Sequence, residues 1–227
     1  MEFENSLAPA VVIFGGSFNP FHSMHLQIAL SVLVQVNASK VLLITCARPV
    51  HRDDLLLDAE LRHEMVAAAV AGYPQLEACR IEIDREGDSN SVDTVKQIRQ
   101  LYGAEAQLYF VIGTDHVEGI KNWPGAETIF EECTLLLSPR GSTWSDQLDA
   151  WRSQLPEHVR FEPIKLDSTN PFSSGMVRDS IRDGVDVQHL VPLDVYNLLL
   201  ERGYYKPVSQ PESQNDARLA ASHTLEE

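Results

Sequence analysis

Short apolar runs alternate with helix-period segments along the whole chain, and this alternation predicts an α/β fold with a doubly wound parallel sheet. Two further observations agree with it. The runs are continuous rather than alternating apolar and polar, as strands covered on both faces are. Hydrophobic residues make up 44% of 227 positions, enough to fill the core of one large α/β domain or two small ones.

The elements follow in order. Ala10 to Phe14 is an apolar run that ends at Gly15-Gly16, and it reads as the first strand. Met24 to Val36 carries its polar residues at Gln27, Ser31 and Gln35, which predicts a mostly buried helix with one narrow wet stripe. Val41 to Ile44 is the second strand, followed by a polar loop through Arg48, His51 and Asp54. A helix from about Asp58 to Ala71 stops at Gly72, with Pro74 beyond it. Leu76 to Ile83 reads as the third strand, Val92 to Leu101 as a helix closed by Gly103, and Leu108 to Ile112 as the fourth strand, closed by Gly113. Thr134 to Leu137 and Val159 to Ile164 are further strands, with a helix around Ser145 to Ser153 between them. Helices near Ser173 to Asp183 and Leu193 to Arg202 complete a domain over residues 1–206. From Pro207 the apolar period is lost, and residues 207–227 read as a disordered acidic tail.

Composition excludes several classes of function. Lys and Arg number 18 against 33 Asp and Glu, a formal net charge of -15. Duplex DNA is gripped through many Lys/Arg–phosphate contacts, so no nucleic-acid partner is expected, and any anionic substrate must meet basic groups gathered locally. Cys46, Cys79 and Cys133 are odd in number, far apart and without a CxxC pair, which fits a reducing compartment. The start, Met1-Glu2-Phe3-Glu4, is acidic where a signal peptide is basic, and the most apolar segment, Leu26 to Val36, is too short for a membrane span. A cytoplasmic protein with no membrane partner is expected.

The most informative segment is Gly15-Gly16-Ser17-Phe18-Asn19-Pro20-Phe21-His22-Ser23-Met24-His25. Two glycines at a strand's carboxyl end let the backbone turn sharply and approach a ligand, and in an open parallel sheet ligands bind at that end. The helix that follows offers unpaired N–H groups to a phosphate, and His22 and His25, three apart in its first turn, can face the same anion. The segment is neither a GxGxxG fingerprint nor a Walker A loop, because the lysine is missing. A zinc site needs a further ligand; His51 could supply it, but no metal-ligand spacing recurs.

Gly15 to His25 resembles the nucleotidyltransferase signature G-[ST]-F-[DN]-P-x-H-x-x-H, and the family most similar is the bacterial nicotinate (nicotinamide) mononucleotide adenylyltransferases. The likeness continues through Ser91-Val92-Asp93-Thr94, Val111-Ile112-Gly113-Thr114-Asp115, Trp123, Pro139-Arg140-Gly141, Phe172 to Arg178, Leu190-Val191-Pro192 and Gly203-Tyr204-Tyr205, about nine-tenths of the chain. It implies a Rossmann-like nucleotidyltransferase fold, and adenylyl transfer from ATP to nicotinate mononucleotide with release of pyrophosphate in NAD biosynthesis. His22, His25 and Arg178 are then the catalytic residues. Gly15, Gly16, Ser17, Phe18, Arg52, Gly113, Asp115, Ser173 and Ser174 bind ATP, and Asn19, Ser91 and Trp123 the pyridine nucleotide. Mg²⁺ travels with ATP and needs no standing protein site, and a homo-oligomer is left open.

The same residues have blander readings. Ser173-Ser174 with Arg178 one turn on could be an N-cap and a solvated arginine, Asp115 a cap, and Trp123 core filling. Gly175 stands where the family pattern S-S-T-x-[IV]-R has threonine, and Arg52 where it often has lysine. Asn19 and Met24 resemble the nicotinamide-type enzymes, so nicotinamide mononucleotide is an alternative acceptor. A non-catalytic nucleotide-binding homologue is a second alternative.

Overall fold

The computed structural model describes residues 8–49, 57–138, 147–166 and 172–206. Six parallel strands form one sheet in the order β3-β2-β1-β4-β5-β6, with β1 Ala10–Gly16, β2 Lys40–Thr45, β3 Leu76–Cys79, β4 Gln107–Gly113, β5 Cys133–Ser138 and β6 Phe161–Pro163. The helices between them are α1 Ser23–Gln35, α2 Ala59–Val70, α3 Ser91–Tyr102, α4 Ala126–Glu132, α5 Leu148–Gln154, α6 Ser174–Arg182 and α7 Leu193–Arg202.

Successive side chains of each strand point to opposite faces, so the sheet has two cores. Val12, Phe14, Val41, Leu43 and Val111 pack under α1, α2, α6 and α7. Val11, Ile13, Leu42, Ile44 and Ile112 pack under α3, α4 and α5. β1 and β4 are neighbours, and from them the chain winds outward in both directions. Their carboxyl ends therefore flank the point where the strand order reverses, the usual crevice for a ligand in this architecture.

Several expectations need correction. β3 stops at Cys79 rather than Ile83, because Arg80 leaves the sheet to pair with Glu60 at 2.7 Å and Asp84 at 3.0 Å. α4 is absent from the sequence reading; at seven residues it is too short to show a helical period, and left-handed Gly125 starts it. β6 covers only Phe161–Pro163, at the sheet edge where proline is tolerated. On α1 the most exposed residue is Val34, at 80%, rather than the glutamine stripe. Gln35 donates to the Pro163 carbonyl and accepts from the Lys165 N–H, so it fastens α1 to the end of β6. Arg52, His51, Pro139-Arg140-Gly141 and the 207–227 tail lie outside the described residues.

Candidate active site

Gly15 and Gly16 continue β1 to its end, paired with Ile44 and Thr45, and neither has a positive φ. The sharp turn expected of them falls instead on Phe18, at φ 45°, a left-handed conformation that bulky residues rarely adopt. Phe18 is 2% exposed and its ring folds back beneath the strand. A methyl on Gly16 would lie 2.8 Å from that ring, whereas one on Gly15 would meet nothing within 4 Å. Gly16 is thus required by the protein itself, and Gly15 keeps open the space above the strand end. Any contact of Phe18 with a nucleotide must come from its backbone.

The same ring helps to hold the second histidine. Phe18, Phe21 and Phe14 surround His25, with ring centroids at 5.0, 5.2 and 6.1 Å. His22 stacks on it at 3.6 Å and is 4% exposed. Nδ1 of His25 accepts the His22 backbone N–H at 3.2 Å, which fixes the orientation of the ring. The expected histidine pair therefore exists as a stacked, oriented unit at the first turn of α1.

α6 closes this side of the crevice. Ser173 is its N-cap, accepting the Met176 N–H at 3.2 Å. Arg178 donates through Nη1 to the Asn19 carbonyl at 2.7 Å, leaving its other N–H groups for an anion. Ser174, expected to meet phosphate, gives its only hydroxyl hydrogen to the Pro20 carbonyl at 2.9 Å, so here it secures the turn. Gly175 leaves room for a side chain, since an added Cβ meets only Ser173 Oγ at 3.6 Å. The loss of the family threonine is not forced by crowding.

Asn19 is 2% exposed, and its Oδ1 accepts the Tyr205 hydroxyl at 2.7 Å and the Leu57 N–H at 3.3 Å. A backbone N–H can only donate, which fixes the amide with its oxygen inward. Burial pushes the Tyr205 hydroxyl well above the ordinary tyrosine pKa, with Arg178 and Arg62 pulling partly the other way. Tyr205 belongs to the closing segment of the resemblance but carried no assigned role. Arg62 was missed altogether, because an arginine on a helix reads as a solvated residue. It is 1% exposed, and its guanidinium donates to the carbonyls of Ser17, Cys46 and Leu57. A cavity of about 460 Å³ opens beside it, lined by Arg48, Leu57, Asp58, Glu60 and Ile83.

Of the residues expected to bind the pyridine nucleotide, Asn19 stays on the α1–α6 side, whereas Ser91 and Trp123 lie on the other face of the sheet. Ser91 opens α3, and the next residue, Val92, packs so closely on Gly125 that a Cβ there would lie 2.5 Å away. That contact joins the start of α3, where Ser91 stands, to the turn that follows Trp123. Trp123 is half-buried against the α3–α4 core and meets His116 edge-on at 5.9 Å. Gly113 ends β4, and Asp115 is the middle residue of the 3-10 turn Thr114–His116, exposed and 3.7 Å from His116. Ser89 links this region to the end of β2, since its Oγ accepts the N–H groups of Ala47 and Arg48 at 3.0 and 3.1 Å.

A parallel sheet with an oriented histidine pair at the reversal point defines a nucleotidyltransferase. Residues 13–180 match the cytidylyltransferase-like family model, and the chain belongs to that family. Within it, the chain belongs to the nicotinate-nucleotide adenylyltransferases. It is 35% identical over 199 residues to a curated "probable nicotinate-nucleotide adenylyltransferase" of Moorella thermoacetica, covering 87% of this chain and 92% of that one. A protein of the same name from Maridesulfovibrio salexigens is 32% identical, over 84% and 94% of the two chains. The fold is shared with the Plasmodium falciparum nicotinic acid mononucleotide adenylyltransferase complexed with NaAD, at a TM-score of 0.69 and 16% identity, over 87% of this chain and 97% of that one. No helix among the described residues is long and apolar enough to cross a membrane.

Proposed function

We propose that this nucleotidyltransferase moves the adenylyl group of ATP onto nicotinate mononucleotide, forming the dinucleotide and pyrophosphate. The observation that carries this reading is the stacked His22–His25 pair, oriented by the His22 N–H on His25 Nδ1 and held at the strand-order reversal. The mononucleotide's phosphate oxygen attacks the α-phosphorus, a new P–O bond forms, and the bond from that phosphorus to the bridging oxygen breaks. That oxygen leaves with the pyrophosphate. The nucleophile is already anionic near neutral pH, so no general base is needed, and catalysis rests on alignment and charge neutralisation.

His22 and His25 hold the α- and β-phosphates in this reading. Ser173 and the free N–H groups of Arg178 face the leaving pyrophosphate, and Ser174 secures the turn that carries them. Asp115 and Gly113 take the adenosine, Ser91 and Trp123 the pyridine ring, and Arg52 a phosphate. Among the described residues no three His, Cys, Asp or Glu side chains gather to hold a metal ion. This fits a Mg²⁺ ion that arrives on the nucleotide's phosphates. Cys46, Cys79 and Cys133, none of them in a disulfide, fit a cytoplasmic setting.

Asn19 gives little support to nicotinamide mononucleotide as the acceptor. Its side-chain oxygen is taken by Tyr205 and Leu57 inside the protein, and an aspartate could accept the same two bonds. The deciding assay supplies purified protein with Mg-ATP and either mononucleotide and follows pyrophosphate and dinucleotide. Nicotinate mononucleotide is expected to give the higher kcat/KM. Nucleotide binding without turnover on either acceptor would overturn the enzymatic reading.

A further inference from the structure

Arg62 stands in the first turn of α2, where a solvated arginine would be ordinary, yet it ranks among the largest fully buried side chains of the protein. Its Nη1 reaches the Ser17 carbonyl at 2.7 Å and the Cys46 carbonyl at 2.8 Å, and its Nε the Leu57 carbonyl at 2.8 Å. These oxygens belong to the turn after β1, the end of β2 and the entry to α2. Among the described residues no carboxylate forms a salt bridge with this guanidinium. Burial works against its charge, but an arginine stays protonated.

The consequence lies in the peptide it grips. Asn19–Pro20 is cis, and the Ser17–Phe18 bond is an ordinary trans peptide, in which C=O and N–H point in opposite directions. With the Ser17 C=O held by Arg62, the Phe18 N–H must face away from Arg62. The Cys46–Ala47 peptide shows the same logic completed: its C=O meets Arg62 and its N–H meets Ser89 Oγ at 3.0 Å. Phe18 is also the residue at φ 45°, a conformation that needs outside support to persist.

We propose that Arg62 is a positioning residue of the nucleotide site, locking the Ser17–Phe18 peptide so that the Phe18 N–H is presented to an ATP phosphate before the substrate arrives. This rests on the adenylyl-transfer reading above. A planar fork can hold two carbonyls from one nitrogen and a third from another, whereas a lysine's flexible ammonium cannot reproduce that geometry.

The test compares the wild type with Arg62→Lys, which keeps the charge and loses the fork. The readouts are thermal unfolding, calorimetric ATP affinity, and KM and kcat for each substrate. The expected result is a folded variant with ATP affinity weakened about tenfold or more, the scale of a lost charge-assisted bond, and little change in KM for the mononucleotide. A folded variant with wild-type ATP affinity and kinetics overturns the proposal, as does one whose only defect is a lower melting temperature. Should Arg62→Lys fail to fold, the wild type itself decides. Its Phe18 amide resonance must shift on adding ATP, and an unmoved resonance overturns the proposal. A wild type that shifts this resonance yet makes no dinucleotide overturns the catalytic reading and leaves the role of Arg62 standing.

Discussion

On the α1–α6 side of the sheet, the turn we propose to meet phosphate is tied down from several directions. Arg62 holds Ser17, Arg178 holds Asn19, Ser174 holds Pro20, and Tyr205 holds the Asn19 side chain. On the α3–α4 side, Asp115 is exposed, and Trp123 is half-buried with an edge contact to His116. The difference suits the chemistry proposed for each half. Developing charge on phosphorus is stabilised by dipoles that need not reorganise, whereas a flat ring can be gripped by one stacking face.

The largest effect should come from the tied side. His25→Ala is expected to lower turnover about 10²-fold or more, read as initial pyrophosphate release of the folded variant. A variant near wild-type turnover would remove the histidine from the mechanism. Next, Gly16→Ala should cost about 1–3 kcal/mol in denaturant unfolding, because its methyl meets the Phe18 ring. Gly15→Ala, pointing into open space, should shift stability by less than about 0.5 kcal/mol while raising KM for ATP. Equal losses of stability at the two glycines would break the distinction between them.

On the open side, Trp123→Ala should raise KM for the mononucleotide about tenfold, the scale of one aromatic stack, with KM for ATP unchanged. Tyr205→Phe should cost about 1 kcal/mol near neutral pH by removing the bond to Asn19. The Tyr205 pKa is raised in the folded chain, so its contribution is complete below the free-tyrosine value of about 10 and is lost as pH rises through the folded value. Stability of the wild type should therefore fall more steeply than that of Tyr205→Phe above about pH 10. The smallest effect is at Gly175→Thr, where there is room. A few tenths of a kcal/mol of added stability is expected from a residue less costly than glycine in a helix.

Strand and helix order was legible in the sequence because continuous apolar runs and helical periods are local signals. The elements misjudged were those decided by partners elsewhere. Arg80 cut β3 short for Glu60, and α4 was too brief to leave a pattern. At the site, the Gly-Gly and HxxH spacing pointed to the right strand end and helix start. Arg62 left no such trace and Tyr205 stood only in the closing motif without a role, since nothing local distinguishes a buried arginine or tyrosine from a solvated one.

By itself the sequence determined the sheet class, the family and the position of the histidine pair, all properties of neighbouring residues and their spacing. Only the tertiary structure decided that Phe18 rather than the glycines makes the turn. It also decided that Ser174 serves the turn, and that Asn19 faces inward to Tyr205, 186 positions away. Those outcomes depend on which carbonyls and amides meet across the fold, and a buried polar group takes whichever partner the packing brings to it.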